Sequence, residues 1–128
     1  MKKILIVDDQ LAVRRLVEMT LETRGLHVLQ ADSGEAGIAA ARVGRPDLII
    51  MDIMMPGGMD GFEAVRELRS HPETQSCPII ILTANDQKPE RAKAFACGAE
   101  DYLAKPFKLR DLLDKVERVL ADASSPGS

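Results

Sequence analysis

The sequence has few of the features that mark zinc proteins, disulfide-rich proteins or nucleic-acid-binding proteins. Its two cysteines, Cys77 and Cys97, lie far apart and form no Cys-x-x-Cys pair, so we expect two free, partly buried thiols rather than a zinc site or a disulfide. The formal net charge is −3 and no basic cluster interrupts the chain, which argues against nucleic-acid binding by this chain. The apolar run in MKKILIVDD is too short for a signal peptide or a membrane span. We therefore expect a cytoplasmic protein without membrane insertion.

Apolar segments alternate with segments of helical periodicity along the whole chain. With 128 residues, 45% of them hydrophobic, the chain is long enough to bury the core of one domain. The alternation predicts an α/β fold with a parallel sheet covered by helices on both faces. The predicted domain is 1–121, and 122–128 (DASSPGS) is predicted to be a flexible tail or linker stub. The predicted strands are 3–8, 26–31, 47–52, 77–84 and 101–105, each followed by a helix.

Capping residues precede two of the predicted helices. Asp32 and Ser33 come before an alanine-rich helix, and Glu35 stands three positions after Asp32 as in a capping box. Asp60 and Glu63 have the same spacing before the next helix. Both helices are therefore expected to begin at these residues.

Polar side chains end four of the five predicted strands. The first strand ends in Asp8 and Asp9, the third in Asp52, the fourth in Thr83 and the fifth in Lys105. The carboxyl ends of parallel strands share one edge of the sheet, where ligands bind at the point of reversal in strand order. We therefore expect three carboxylates, a hydroxyl and an ammonium group to share one crevice.

The chemistry of this set favours phosphoryl transfer assisted by a metal ion. Clustered carboxylates repel one another unless a cation lies among them, and oxygen ligands with room for water suit Mg²⁺. A hydroxyl and an ammonium group stabilise the oxygens of a phosphoryl group, and a carboxylate can serve as its acceptor. Taken singly, Asp9 could be a helix cap, Thr83 a turn residue and Lys105 a solvated side chain. Their joint placement at strand ends favours the shared site.

Four segments resemble motifs of bacterial two-component response-regulator receiver domains. They are ILIVDD, LIIMDIMMPGGMDGFE, IIILTA and DYLAKPF, and the resemblance covers residues 3 to about 121. The spacing matches as well: 43 positions from Asp9 to Asp52, then 31 to Thr83 and 22 to Lys105. The resemblance implies a single flavodoxin-like (βα)5 domain with strand order 2-1-3-4-5. It also implies a stand-alone or excised receiver that takes a phosphoryl group from a sensor histidine kinase or a histidine phosphotransfer protein.

The resemblance assigns the metal and acceptor roles. Asp52 matches the phospho-acceptor, which also contacts the metal. Asp8 and Asp9 match the acidic pair that positions Mg²⁺, Asp9 directly and Asp8 through water. The backbone carbonyl of Met54 matches the third protein ligand.

The resemblance also assigns the phosphoryl-binding and switch roles. Thr83 matches a hydroxyl that moves toward the phosphoryl group, Lys105 matches the lysine that pairs with it, and Tyr102 matches an aromatic that turns inward on activation. The Lys105–Pro106 peptide matches a bond that is usually cis in this family. The change is expected to alter binding of a downstream partner or effector domain.

The surface formed by the fourth helix, the fifth strand and the fifth helix is where this family usually signals. Its mixed charge could support salt bridges in a homodimer, or could simply be solvated, since exposed ion pairs contribute only about 0–1 kcal/mol. The charged residues are Lys88, Glu90, Arg91, Lys93, Glu100, Asp101, Arg110 and Asp111.

The loop after the third strand departs from the family pattern. Two residues, Gly57 and Gly58, stand where the family usually has one, so this loop is longer and more flexible. Met54 lies upstream of the extra residue, whereas the start of the next helix lies after it.

Three other functions fit the pattern less well. A phosphohydrolase of the haloacid-dehalogenase type needs a second aspartate at the position of Met54. A flavodoxin needs a phosphate loop rich in Ser and Thr after the first strand, where this chain has DDQLAV. A degenerate receiver that binds partners without phosphorylation would not need the acceptor, the acidic pair, Thr83 and Lys105 together.

We predict a phosphorylated state that lasts longer than minutes. Met54 and Asn85, two positions after Asp52 and Thr83, lie where the family varies its dephosphorylation rate, and neither offers a carboxylate to activate the attacking water. The mass of the intact protein, followed over time after donor removal, measures this lifetime. A lifetime of seconds would contradict the prediction.

Overall fold

Five strands and five helices alternate in the computed structural model, which describes residues 1–84 and 87–124. Both cysteines are free and partly buried, as expected. Within those residues, none of the helices combines the length and the apolar character that crossing a membrane requires. The elements are β1 Lys3–Val7, α1 Leu11–Glu22, β2 His27–Ala31, α2 Gly34–Gly44, β3 Leu48–Asp52, α3 Gly61–Ser70, β4 Ile79–Thr83, α4 Lys88–Ala96, β5 Asp101–Ala104 and α5 Leu109–Ser124.

The strands form one parallel sheet in the order β2-β1-β3-β4-β5, which confirms the predicted order. Since β1 pairs with both β2 and β3, the direction of winding reverses beside β1. The reversal opens a crevice at the carboxyl ends of β1 and β3.

Side chains of the three central strands alternate between two cores, one on each face of the sheet. Leu5, Ile49 and Ile81 pack with residues of α2, α3 and α4. Ile6 and Ile50 pack on the other face with residues of α1 and α5. Burial on both faces explains why these strands are apolar at every position. The fold is a flavodoxin-like single domain.

One predicted helix cap is confirmed and the other is wrong in detail. The Asp60 carboxylate accepts a 2.8 Å hydrogen bond from the Glu63 N–H, and the Glu63 carboxylate accepts one from the Asp60 N–H, which completes the capping box. At α2, Ser33 caps the helix and accepts a 3.1 Å hydrogen bond from the Ala36 N–H. The expected box between Asp32 and Glu35 does not form, because the chain stays extended through Ser33 and the helix begins one residue later.

Element boundaries differ from the predicted ones by one to three residues. The strands are shorter than predicted, with β1 ending at Val7 and β4 covering Ile79–Thr83. Helix α5 extends to Ser124, so 122–124 are helical rather than part of the tail, in keeping with the strong helix propensity of alanine in this segment. Residues 125–128 lie outside the described part of the chain, and the domain boundary itself stays a prediction.

Helix α3 begins in direct contact with the backbone that follows β3. A Cβ atom at Gly61 would lie 2.5 Å from the carbonyl oxygen of Asp52 and 2.5 Å from the Cα of Ile53. Neither backbone atom can move without shifting the end of β3. The absence of a side chain at Gly61 therefore fixes the distance between α3 and the strand that carries Asp52.

We predict that Gly61→Ala lowers the free energy of unfolding by about 1–3 kcal/mol, the usual cost of overpacking. Gly58→Ala is the matched control, because the atoms nearest to a Cβ there belong to the flexible carboxylate of Glu35, the first at 3.0 Å. The control should stay within about 0.5 kcal/mol of the wild type. Urea unfolding of both variants measures the difference, and equal effects would contradict the prediction.

Candidate functional site

The structure brings Asp8, Asp52, Thr83 and Lys105 to one edge of the sheet. Asp52 and Thr83 are the last residues of β3 and β4, while Asp8 and Lys105 directly follow β1 and β5. Asp8, Asp52 and Thr83 are buried, whereas Asp9 is exposed. In the strand order, Asp52 lies between the acidic pair of β1 and Thr83 of β4.

Three carboxylates form the centre of the site. One oxygen atom each of Asp8, Asp9 and Asp52 lies within 4.8 Å of the other two. Because only Asp9 is exposed, the cluster is accessible to solvent from the Asp9 side. Clustered carboxylate oxygens with one open side are a donor set that fits Mg²⁺, which keeps part of its water when bound to proteins.

Lys105 supplies the positive charge at the buried side of the cluster. Its Nζ lies 2.8 Å from Asp8 Oδ2 and 3.3 Å from Asp52 Oδ2, and 20% of its side chain is exposed. Burial alone would lower the pKa of Lys105. The hydrogen bond to Asp8 and the charges of both carboxylates outweigh that effect and raise its pKa above the ordinary value. Lys105 therefore stays protonated at neutral pH.

Asp52 is less stable as a carboxylate than an aspartate in water. Burial raises its pKa, and the charge of Asp8 acts in the same direction. The Met54 N–H, which donates a 3.0 Å hydrogen bond to Asp52 Oδ1, and Lys105 lower the pKa but do not cancel the rise. Burial is thus the main reason why the protonated form of Asp52 is favoured.

Comparison with known proteins places the chain in a family. The model for the response regulator receiver domain matches residues 4–117, which include the carboxylates, Thr83 and Lys105. The chain belongs to the response regulator receiver domain family. It is thus a receiver domain of two-component signalling, a signalling protein and not a classical enzyme.

Relatives of this receiver domain include single-domain and longer proteins. Protein PilH of Pseudomonas aeruginosa is 42% identical, over 94% of this chain and 99% of PilH. The transcriptional regulatory protein ResD of Bacillus subtilis is 40% identical, and the chain spans about half the length of ResD (49%). The receiver domain of the sensor histidine kinase PA1611 from P. aeruginosa is 34% identical with a TM-score of 0.85, covering 94% of this chain and 98% of that domain, and its structure has a magnesium ion in the active-site cleft.

Tyr102 lies on the same face of the sheet as Thr83. Tyr102 pairs with Ile81, and Ile81 and Thr83 point to the same side because they are two residues apart on β4. The Tyr102 hydroxyl accepts a 3.2 Å hydrogen bond from Arg91 Nη1, and the ring meets Phe95 edge-on at 5.8 Å between centroids. In this structure the half-buried Tyr102 is therefore held against α4.

The remaining predicted features are placed as follows. The Lys105–Pro106 peptide is cis. Gly57 in the lengthened loop has φ +90°, a conformation that favours glycine, and α3 still begins after its Asp60 cap. The Met54 side chain is 65% exposed, and the metal-binding role of its carbonyl stays a prediction. Asn85 lies outside the described residues.

Sequence reasoning missed the residues that hold Asp8. Asp8 Oδ1 accepts a 2.9 Å hydrogen bond from the Gln10 N–H, and its backbone N–H donates a 3.1 Å hydrogen bond to the carbonyl of Ala31. Its own carbonyl oxygen accepts a 2.8 Å hydrogen bond from Arg14 Nη1. No sequence signal marks Arg14, because an arginine in the first turns of a helix is usually solvated.

We predict that Asp52→Asn makes the metal-free protein more stable at neutral pH. A carboxylate whose pKa is raised in the folded state stabilises the fold when protonated, and that stability is lost as the pH rises through the raised pKa. The neutral amide avoids this loss, so the gain should shrink as the pH falls toward the ordinary pKa of aspartate, about 3.9. Urea unfolding in the presence of EDTA at several pH values measures it.

Asp114→Asn is the control, because Asp114 is exposed on α5 and its side chain makes no hydrogen bond or ion pair among the described residues. Its stability should follow that of the wild type within about 0.5 kcal/mol at neutral pH. A less stable Asp52→Asn variant at neutral pH would show that the contacts of the carboxylate outweigh its burial.

Proposed function

We propose that this receiver domain accepts a phosphoryl group on Asp52 from a phosphohistidine of a sensor histidine kinase or a histidine phosphotransfer protein. Mg²⁺ would be held by Asp8, Asp9 and Asp52, with the Met54 carbonyl as a further ligand. The proposal is carried by one observation: an acidic cluster that fits a divalent ion and the Lys105 ammonium group both adjoin the Asp52 carboxylate.

The position of Asp52 in the sheet favours it as the acceptor among the three carboxylates. Asp52 is the only one of the three on β3, with the acidic pair directly after the neighbouring strand β1 and Thr83 at the end of the other neighbour, β4. A phosphoryl group on Asp52 would thus have carboxylate-bound metal on one side and a hydroxyl on the other. A phosphoryl group on Asp8 would be two strands away from Thr83.

The transfer is a displacement at phosphorus. An Asp52 oxygen attacks, the new O–P bond forms as the P–N bond to imidazole breaks, and the leaving nitrogen keeps the electron pair and takes a proton from solvent. Lys105 pairs with the phosphoryl oxygens and Thr83 donates its hydroxyl to them. Mg²⁺, when bound, supplies the positive charge that draws the phosphoryl group to the carboxylates.

The phosphoryl group would act on the rest of the domain through Thr83 and Tyr102. Movement of Thr83 toward the phosphoryl group would vacate space on the sheet face that Tyr102 shares, and Tyr102 would leave Arg91 and turn inward. A downstream partner or effector domain that distinguishes the two arrangements would then bind differently. We propose a cytoplasmic location for this exchange, and no nucleic-acid contact by this chain.

The surface of α4, β5 and α5 is a candidate for homodimer formation. Part of its charge is already paired within the chain, since Lys115 Nζ lies 3.0 Å from Asp101 Oδ1. Salt bridges across a homodimer would therefore have to use the other charged residues of this surface. We propose this homodimer from the resemblance.

The decisive experiment is the mass of the intact protein after incubation with acetyl phosphate, with and without Mg²⁺. We expect one phosphoryl adduct on the wild type in the presence of Mg²⁺. The adduct should be lost in Asp52→Asn, which lacks the acceptor, and strongly reduced in Asp9→Asn, which lacks the exposed carboxylate.

Asp114→Asn again serves as the matched control and should be phosphorylated like the wild type. An adduct on Asp52→Asn would show that another residue is the acceptor. A folded wild type that gains no adduct and binds no Mg²⁺ would favour a degenerate receiver that binds partners without phosphorylation. Metal binding without an adduct would indicate a requirement for the cognate donor, to be tested with a phosphorylated phosphotransfer protein.

A further inference from the structure

Arg14 connects helix α1 to the end of β1. It is the fourth residue of α1, and its Nη1 donates a 2.8 Å hydrogen bond to the carbonyl oxygen of Asp8, the residue that follows β1. This contact is made to the backbone, so it does not depend on the charge of the Asp8 side chain.

A chain of hydrogen bonds fixes the guanidinium group of Arg14. Its Nε donates a 3.0 Å hydrogen bond to Gln30 Oε1 on β2, and Gln30 Nε2 donates a 3.0 Å hydrogen bond to Glu18 Oε2 on α1. Arg14 and Glu18 are four residues apart and share a face of the helix. The rigid, planar guanidinium group thus uses two different N–H donors, Nη1 for the end of β1 and Nε for β2.

The carbonyl that Arg14 holds belongs to the peptide unit that leads into Asp9. The C=O of Asp8 and the N–H of Asp9 lie in one plane, so fixing the carbonyl fixes the direction in which the chain enters Asp9. The other polar groups of Asp8 are also engaged, by Ala31, Gln10 and Lys105. Asp9, in contrast, is exposed, and no side-chain hydrogen bond holds it within the part of the chain described.

We infer that Arg14 is a positioning residue for the metal site: it orients the Asp8–Asp9 peptide and thereby holds the exposed Asp9 carboxylate beside Asp8 and Asp52. This inference rests on the proposed function, because it gives Asp9 a role in binding the divalent cation. The ligand class is a hard divalent ion, for which Mn²⁺ is a usable probe.

A role of Arg14 through its charge and a role through its hydrogen bonds predict opposite effects on metal binding when the side chain is removed. If the guanidinium group acted only by its positive charge, it would repel the cation, and removing it would strengthen metal binding. If it acts by holding the peptide, removing it weakens binding, and lysine cannot replace it, because a single ammonium nitrogen cannot reproduce the two directed hydrogen bonds.

The test is Mn²⁺ binding, measured from the loss of the electron paramagnetic resonance signal of free Mn²⁺ on titration with protein. We expect Arg14→Met and Arg14→Lys each to raise the dissociation constant about tenfold, the lower end of the range for residues that support metal ligands. Gln30→Met, which keeps Arg14 but frees its Nε, should raise it by less than the Arg14 variants do, because the Nη1 contact with Asp8 remains. The Mg²⁺ concentration that gives half-maximal phosphorylation by acetyl phosphate should rise in parallel, with the maximal extent retained.

Arg15→Met is the matched control, since it removes the same charge one residue further along α1 from an exposed side chain without a hydrogen bond or ion pair among the described residues. Its dissociation constant should stay within about twofold of the wild type, as expected of a distant, screened charge. Urea unfolding in EDTA establishes that each variant is folded, and the Gln30→Met variant keeps the test valid if the Arg14 variants do not fold.

Several outcomes would overturn the inference. Arg14→Lys binding like the wild type, or Arg14→Met binding more tightly, would show that only charge matters. A loss in Arg15→Met equal to that in Arg14→Met would show that the loss does not come from the hydrogen bonds of Arg14. If Asp9→Asn binds Mn²⁺ like the wild type, or the wild type does not bind it, the proposed metal site fails and the inference fails with it. Unchanged binding in the Arg14 and Gln30 variants of a metal-binding wild type overturns the inference alone.

Discussion

The site depends on the crowding of negative charge at one edge of a parallel sheet. Three carboxylates lie within 4.8 Å of one another, two of them buried, and one ammonium group pairs with the buried two. This balance leaves an excess of negative charge that only a bound cation or protonation can relieve. Burial is the first cause of the raised pKa of Asp52, and the negative charge of Asp8 adds to the rise. The same excess makes the site suited to a metal ion and then to a phosphoryl group.

The sheet makes this crowding possible because its central strands are held rigidly from both faces. Leu5 and Ile49 face one core while Ile6 and Ile50 face the other, so β1 and β3 cannot separate to reduce the repulsion. Gly61 brings α3 against the backbone of Asp52 and Ile53. The stability provided by the two cores thus offsets the unfavourable repulsion between the carboxylates. Functional sites commonly depend on such an offset.

Different residues of the site are held in different ways. Lys105 follows β5, which is separated from β3 by β4. Its contact with the carboxylates therefore depends on the arrangement of the whole sheet. Asp8 is held by Gln10, by Arg14 of α1 and by Ala31 of β2, and Asp9 only by the backbone that leads into it. Tyr102 is held against α4 by Arg91 and Phe95, contacts that an inward turn would break. The contacts that hold the buried carboxylates are thus separate from those that hold Tyr102, which are made by α4.

The alternation of strands and helices, the polar ends of four strands and the Asp60–Glu63 cap could be predicted from the sequence, because these features follow from local periodicity and residue type. The strand order came from the resemblance, since apolar strands do not encode which neighbour they pair with. The Ser33 cap of α2 and the extension of α5 to Ser124 are local features that the sequence prediction placed differently. The contacts by which Arg14 and Gln30 hold the end of β1, in contrast, depend on tertiary packing. Arg14 and Gln30 are 16 residues apart in sequence, and only the packing of α1 against β2 brings their polar groups within hydrogen-bonding distance.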